Sequence, residues 1–284
     1  GRGADPLRLP RGRIAVERRG VSLGARRLAR YLAATRGAHI PAFQGERALL
    51  PPVAPALWET ALLLELLAVA RLALPAGGLI HTSSELVCVR ALRAAEPVRC
   101  RLVLERAEPD ARGVRLTVRS QNWNPSGQLA SESTFELLAR SRERGTDTAR
   151  TRPDRPASAP SLVDDGAWHE LARWRLRGRD ARRYARASRD YNPVHLWAWT
   201  ARPFGFRRPI LHGFCLEALV AHALIERRFA GDATALRRLR IAFQRPLLLP
   251  AKAVLRIREG GAFRVESTEA GRARIYAEGE FAGG

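Results

Sequence analysis

Two long apolar runs divide the chain, and each is followed by segments of strand-like alternation. From Ala56 to Leu74 nearly every position is apolar, and Pro75 with Gly77-Gly78 ends the run. A helix apolar on all sides is expected to be buried, with Glu59 and Glu65 near its margins. Ahead of it the pattern predicts a short strand at Ile14–Val16 and a helix over Leu23–Thr35. That helix carries Leu28, Tyr31 and Leu32 at helical spacing, with Gly37 as its stop. The Pro-rich passage Pro41–Pro55 must be extended or irregular. After the long helix, Leu86–Val89, Val98–Leu104, Val114–Ser120 and Leu129–Leu138 read as an antiparallel meander broken by Pro- and Gly-containing turns.

The same order then begins again. Trp168–Arg177 reads as a strand and Asp180–Ser188 as a helix with Asp180 as its N-cap. Gly213–Phe229 is a second long apolar helix, followed by strands at Leu239–Phe243, Ala253–Arg258, Phe263–Ser267 and Arg274–Phe281. Between the two series lies a stretch rich in Arg, Pro, Ser and Asp, with little to bury. The expected organisation is a unit over residues 1–139, whose first twelve residues form a loose arm, a linker over 140–166, and a unit over 167–284. The repeat is visible residue by residue: Arg30-Tyr31 and Thr35-Arg36 align with Arg183-Tyr184 and Ser188-Arg189 at a constant offset of 184 − 31 = 153. At that offset Gly37 stands opposite Asp190, and His39 opposite Asn192.

Composition narrows the function classes. With 46% hydrophobic and 27% charged residues the chain is globular. The net charge is +21, from 49 basic and 28 acidic residues, and Lys252 is the sole lysine. The arginines are scattered and accompany no nucleic-acid-binding motif, so no specific nucleic-acid partner is expected; an anionic ligand or an acidic partner suits the charge. Cys88, Cys100 and Cys215 have neither disulfide-framework nor zinc-site spacing. Cys215 reads as a small packed residue, and a reducing cytoplasm fits. The most apolar run, Ala61–Ala70, is too short to span a bilayer and contains Glu65.

The chemistry concentrates between Tyr184 and Leu219. Asp190 and His195 flank Asn192-Pro193, a pair that forces a turn, so a carboxylate and an imidazole converge ahead of the helix that opens at His212-Gly213. This is an acid–base arrangement. Asp190, Asn192, Pro193 and His195, then Phe204-Gly205-Phe206, then Pro209-Ile210-Leu211-His212-Gly213 resemble the signature of the MaoC-like dehydratases, which include the (R)-specific enoyl-CoA hydratases of the hotdog fold. The match covers about thirty residues in the right order.

The resemblance implies an α+β fold of two fused hotdog units, each an antiparallel sheet wrapped around one long helix, the first degenerate and the second catalytic. It implies reversible hydration of a trans-2-enoyl thioester to the (R)-3-hydroxyacyl thioester, carried on coenzyme A or an acyl carrier protein, with no other cofactor and no metal. Asp190 and His195 would hold the water, and the Gly213 N–H would meet the thioester oxygen. Asn192, Phe206, Pro209, Ile210 and His212 would border the substrate, Asn192 chiefly by ordering the loop and His212 by bracing the helix start. Which of Asp190 and His195 is acid and which base stays open. For Asp190 to act as a base at neutral pH, a partly desolvated pocket that raises its pKa is expected. His81 reads as structural, and Tyr184, Trp197, Trp199, Phe204 and Phe206 as core or tunnel wall. Many family members carry Ser or Thr a few residues into the central helix; here that turn reads Phe214-Cys-Leu-Glu217-Ala218. A non-catalytic double hotdog that binds a thioester or a partner subunit is the alternative, and a thioesterase on the same fold the third reading. The assembly is expected to be a monomeric double hotdog or a homodimer.

Overall fold

The structure, a computed structural model, describes residues 13–72, 78–140, 167–269 and 272–284. The arm expected at 1–12 and the linker expected at 140–166, apart from Arg140, lie outside the described residues. The first series comprises β1 (Ile14–Val21), α1 (Ala25–Ala34), α2 (Ala56–Val69), β2 (Leu79–Cys88), β3 (Val98–Asp110), β4 (Gly113–Trp123) and β5 (Leu129–Arg140). The second comprises β6 (His169–Leu176), α3 (Gly178–Ser188), a four-residue turn of helix α4 (Ala198–Ala201), α5 (Gly213–Arg227), β7 (Leu236–Phe243), β8 (Ala251–Ile257), β9 (Ala262–Glu269) and β10 (Arg272–Gly283).

All ten strands join one antiparallel sheet in the order β1-β3-β4-β5-β2-β7-β10-β9-β8-β6. Read outward from the centre, both halves repeat one topology, so the repeat seen in the sequence is a repeat of architecture: two hotdog units in an α+β fold. The units meet where β2 pairs with β7, from Ser83↔Ala242 to Val87↔Arg238. α2 packs on β1 and β3, α5 on β6 and β7, and α1 packs against α3. A single apolar cluster runs through both halves, from Val16 to Ala277.

Local patterns explain most elements. In β4 burial alternates strictly: Val114, Leu116, Val118, Ser120 and Asn122 face in, as a pleated strand over a core requires. α3 buries Ala181, Tyr184, Ala185 and Ala187 and turns Arg183 and Arg186 outward.

Four expectations need correction. β2 begins at Leu79, seven residues before the expected strand, because its polar run Thr82–Glu85 hides it from a hydrophobic pattern; Ser83 and Ser84 pair with the neighbouring half instead. The first long helix stops at Val69 and is not buried all round, since Leu64 and Val69 are about half exposed. Glu59 lies in the core rather than at the margin, accepting hydrogen bonds from Ser120 and Asn122, while Glu65 pairs outside with Arg18. The N-cap of α3 is Arg177; Asp180, at the third helical position, accepts from the Arg177 N–H at 2.7 Å. No helix among the described residues is long and apolar enough to cross a membrane.

Candidate active site

The motif loop leaves α3 through Arg189, which adopts a left-handed conformation (φ 64°). Such a residue ends a helix sharply, and here it turns the chain into Asp190. The loop is then fixed by short-range bonds. Ser188 Oγ accepts the Asp190 N–H at 3.1 Å, and Asp190 Oδ1 accepts the Asn192 N–H at 3.1 Å. Asn192 Oδ1 accepts from Val194 N at 3.4 Å, at the head of a 3-10 turn over Pro193–His195. These are the Asx- and Ser-type turns that Asn, Asp and Ser favour.

His195 is buried, and its Nδ1–H donates to the Ile210 carbonyl at 2.9 Å, which leaves Nε2 as a bare acceptor. His212 is also buried; its Nε2–H donates to the Asp190 carbonyl at 3.1 Å, and its Nδ1 has no partner. The two imidazoles stack with centroids 3.7 Å apart, and Tyr184 packs on His212 at 4.9 Å. His212 therefore braces the loop that carries Asp190. It makes no side-chain cap to α5.

Asp190, His195 and His212 offer ligand atoms all within 4.8 Å of one another. A metal is a poor fit, because a nitrogen lone pair lies in the plane of its ring. With the rings stacked, an ion in the plane of one imidazole lies out of the plane of the other. The same convergence suits a water molecule held between a carboxylate and an imidazole.

The electrostatics set the protonation states. Burial pushes the Asp190 carboxyl upward, but the His212 and His195 imidazoles and the Asn192 N–H outweigh it and hold the group below the ordinary carboxylate range. The direction is therefore downward and not the expected rise: the Asn192 N–H, and the imidazoles in so far as they are protonated, favour the charge that burial disfavours. Burial lowers His195, against the pull of Asp190 and the Ile210 carbonyl. Burial and the adjacent His195 bring His212 down to about 3. At neutral pH the site holds one carboxylate and two neutral imidazoles.

α5 opens beside this cluster at Gly213, whose N–H has no partner within the helix by geometry. Gly213 faces β2 of the first half. A Cβ on it would stand 2.6 Å from His81 Nδ1, an atom that is enclosed and unpartnered. His81 donates through Nε2 to the Ser83 carbonyl at 3.0 Å and is wedged against Phe214 at 4.3 Å and Phe243 at 4.8 Å. One turn further along α5, Glu217 accepts from Ser84 Oγ at 3.1 Å. Burial pushes Glu217 up to about 8, so it is protonated at neutral pH. His81, Ser84 and Glu217 thus form a buried polar seam between the units. From the sequence His81 reads only as structural, and Glu217 has no assigned role. The signal available was a polar run (His81–Glu85) beside a carboxyl in an otherwise apolar helix.

The other residues singled out from the sequence fall around this centre. Ile210 serves it through its carbonyl, and Pro209 is buried with its carbonyl accepting from Leu249 N at 2.8 Å. Phe206 is half-buried, its N–H bonded to the Ala201 carbonyl at 3.2 Å. Trp197 and Trp199 are not wall residues: they are 45% and 70% exposed and stack on each other outside. In the first half, the place corresponding to Asp190 is closed. A Cβ on Gly37 would stand 2.5 Å from His222 Nδ1, which donates to the Thr35 carbonyl at 3.0 Å.

A family model described as the MaoC-like domain matches residues 150–279. The matched span takes in the motif loop and α5, so the C-terminal half is similar to a MaoC-like domain. The chain is 30% identical over 183 residues to 3-hydroxyacyl-thioester dehydratase X of Mycobacterium tuberculosis, a match spanning 64% of this chain and 60% of that protein's length. The crystal structure of HtdX from the same organism superposes with a TM-score of 0.72 at 21% identity, covering 95% of this chain and 99% of the other. A further M. tuberculosis protein, described as a double hotdog fold, gives a TM-score of 0.59 at 13% identity over 95% of this chain and 96% of its own. The double hotdog architecture of the chain agrees with both.

Proposed function

We propose that the protein is a hydratase/dehydratase that interconverts trans-2-enoyl and (R)-3-hydroxyacyl thioesters at the Asp190–His195 site. The observation that carries this reading is the paired acceptors beside a helix N-terminus: an ionised Asp190 and a neutral His195 with its Nε2 bare. Similarity to a thioester dehydratase supports it.

Water donates one hydrogen to the Asp190 carboxylate and the other to His195 Nε2. In hydration its oxygen bonds to C3, the dyad takes the released proton, and that proton is returned to C2, so the water is consumed in full. As the C3–O bond forms, negative charge grows on the thioester oxygen. The first-turn N–H of Gly213, aided by the dipole of α5, stabilises it. Removing one such donor costs roughly 100-fold or more in rate. Asn192 orders the loop, and Phe206, Pro209 and Ile210 border the acyl group. No cofactor is called for beyond the coenzyme A or carrier-protein handle of the substrate. Pairing of the units within one chain makes a monomer self-sufficient, and three unpaired cysteines suit the cytoplasm.

The test is a panel of enoyl thioesters on coenzyme A and on carrier protein, followed by loss of enoyl absorbance and by chiral analysis of the product. The expected result is hydration to the (R) alcohol on at least one handle. Release of free thiol without hydration indicates a thioesterase instead, and binding without turnover the non-catalytic alternative.

A further inference from the structure

Besides His81 and Ser84 at α5, the half without the motif loop holds the end of α3 through Arg27. Arg27, on α1, donates from Nε to the Ala187 carbonyl at 2.7 Å and from Nη2 to the Ser188 carbonyl at 3.2 Å. The same Nη2 donates to the Leu57 carbonyl of α2 at 2.7 Å. The guanidinium therefore joins three helices, two of the first unit and one of the second. Its targets on α3 are carbonyls of the last turn, which have no partners within the helix and carry the negative end of its dipole. Directly beyond them the chain turns left-handed at Arg189 and becomes Asp190.

From this clamp to the carboxylate the connection is short. Arg27 fixes the main chain of Ser188; Ser188 Oγ, donating to the Tyr184 carbonyl at 2.9 Å, accepts the Asp190 N–H at 3.1 Å. We propose that Arg27 is a positioning residue for Asp190, through which the degenerate unit sets the geometry of the other unit's site; this rests on the dehydratase reading.

Two features favour this over simple adhesion between α1 and α3. The cation is half-buried, and the charge of Arg189, which is of like sign, acts against it. That is an unfavourable setting unless the hydrogen-bond geometry compensates. The clamp is also one-sided. At the repeat offset of 153, the counterpart of Arg27 is Asp180, which lies 3.5 Å from Arg36 near the end of α1 and bonds no helix-end carbonyl there. Among the described residues, the carbonyl clamp is found on the side that carries the motif loop and not at the corresponding place in the other half. A planar fork reaches carbonyls on separate helices at once, whereas an ammonium is a single point charge.

The experiment compares Arg27→Ala and Arg27→Lys with Arg26→Ala, an exposed neighbour on the same helix. The expected result is a kcat lowered roughly 10- to 100-fold in Arg27→Ala with KM within about twofold, on the scale of a 1 Å misplacement. Millimolar methylguanidine should restore part of that turnover, Arg27→Lys should fall between, and Arg26→Ala should match the parent protein. NMR of the His195 and His212 ring protons should shift in Arg27→Ala and not in Arg26→Ala. An unchanged kcat with unchanged ring signals overturns the proposal, as does a loss that only tracks the unfolded fraction. If the parent protein hydrates no thioester, the dehydratase reading fails, and the ring signals alone decide whether Arg27 positions the loop.

Discussion

Adding one methyl group at Gly213 probes the contact between the two units where the chemistry is expected. An alanine Cβ there would stand 2.6 Å from His81 Nδ1 and 3.0 Å from His81 Cβ and Cγ. Comfortable contacts lie at about 3.5–4.0 Å, so the helix start and the ring must separate by roughly 1 Å. His81 has little freedom to yield, being tied to the Ser83 carbonyl and held between Phe214 and Phe243. Overpacking of this kind costs about 1–3 kcal/mol, offset by up to about 1 kcal/mol from replacing glycine in a helix. Stability should therefore fall modestly. Turnover should fall by about 100-fold, the scale of a 1 Å misplacement at a reacting centre. Thermal melts and enoyl-thioester hydration of Gly213→Ala, His81→Ala and the double variant form a cycle. The double variant should recover part of the activity lost in Gly213→Ala. Wild-type turnover and melting in Gly213→Ala would refute the idea that α5 starts wedged against His81.

Two further outcomes follow from the buried groups. Both dyad members have lowered pKa values, so the active forms, carboxylate and neutral imidazole, persist below the ordinary histidine range. The pH profile of kcat/KM should stay flat on acidification through pH 6.5 and fall only below it; an acid limb at or above that value contradicts the assigned states. Glu217 has a raised folded pKa of about 8 against an ordinary 4.5, so the folded chain binds the extra proton between those values. Stability must then fall as pH rises across that window. Glu217→Gln, which cannot ionise, should flatten that slope in urea titrations at pH 5 and 8, and an identical slope in both proteins counts against a protonated Glu217.

The periodicity of the chain carried the order of elements, because most strands and helices bury one clean face. β4 and α3 are legible for that reason. What escaped the pattern lies where burial and polarity coincide. β2 spends its polar run on the seam with β7, so its start is invisible to a search for apolar alternation. Glu59 and Glu217 read as interruptions of apolar helices, yet both are buried and hydrogen-bonded. The Asp190–His195 pairing was legible from the Asn-Pro turn between them, but the sign of the Asp190 shift was not. That sign depends on His212, twenty-two residues away, stacking on His195. Arg27 gave no signal at all, since its partners are main-chain carbonyls and any sequence supplies those.

The most direct measurement is turnover of an enoyl thioester by Asp190→Asn, His195→Ala and the double variant, with folding checked by circular dichroism. Positioned acid–base groups contribute roughly 100- to 10,000-fold. Each single variant is expected to lose activity on that scale, and the double variant no more than the worse single one, because the two groups act as one unit. A folded single variant that keeps a tenth or more of the parent rate contradicts the account.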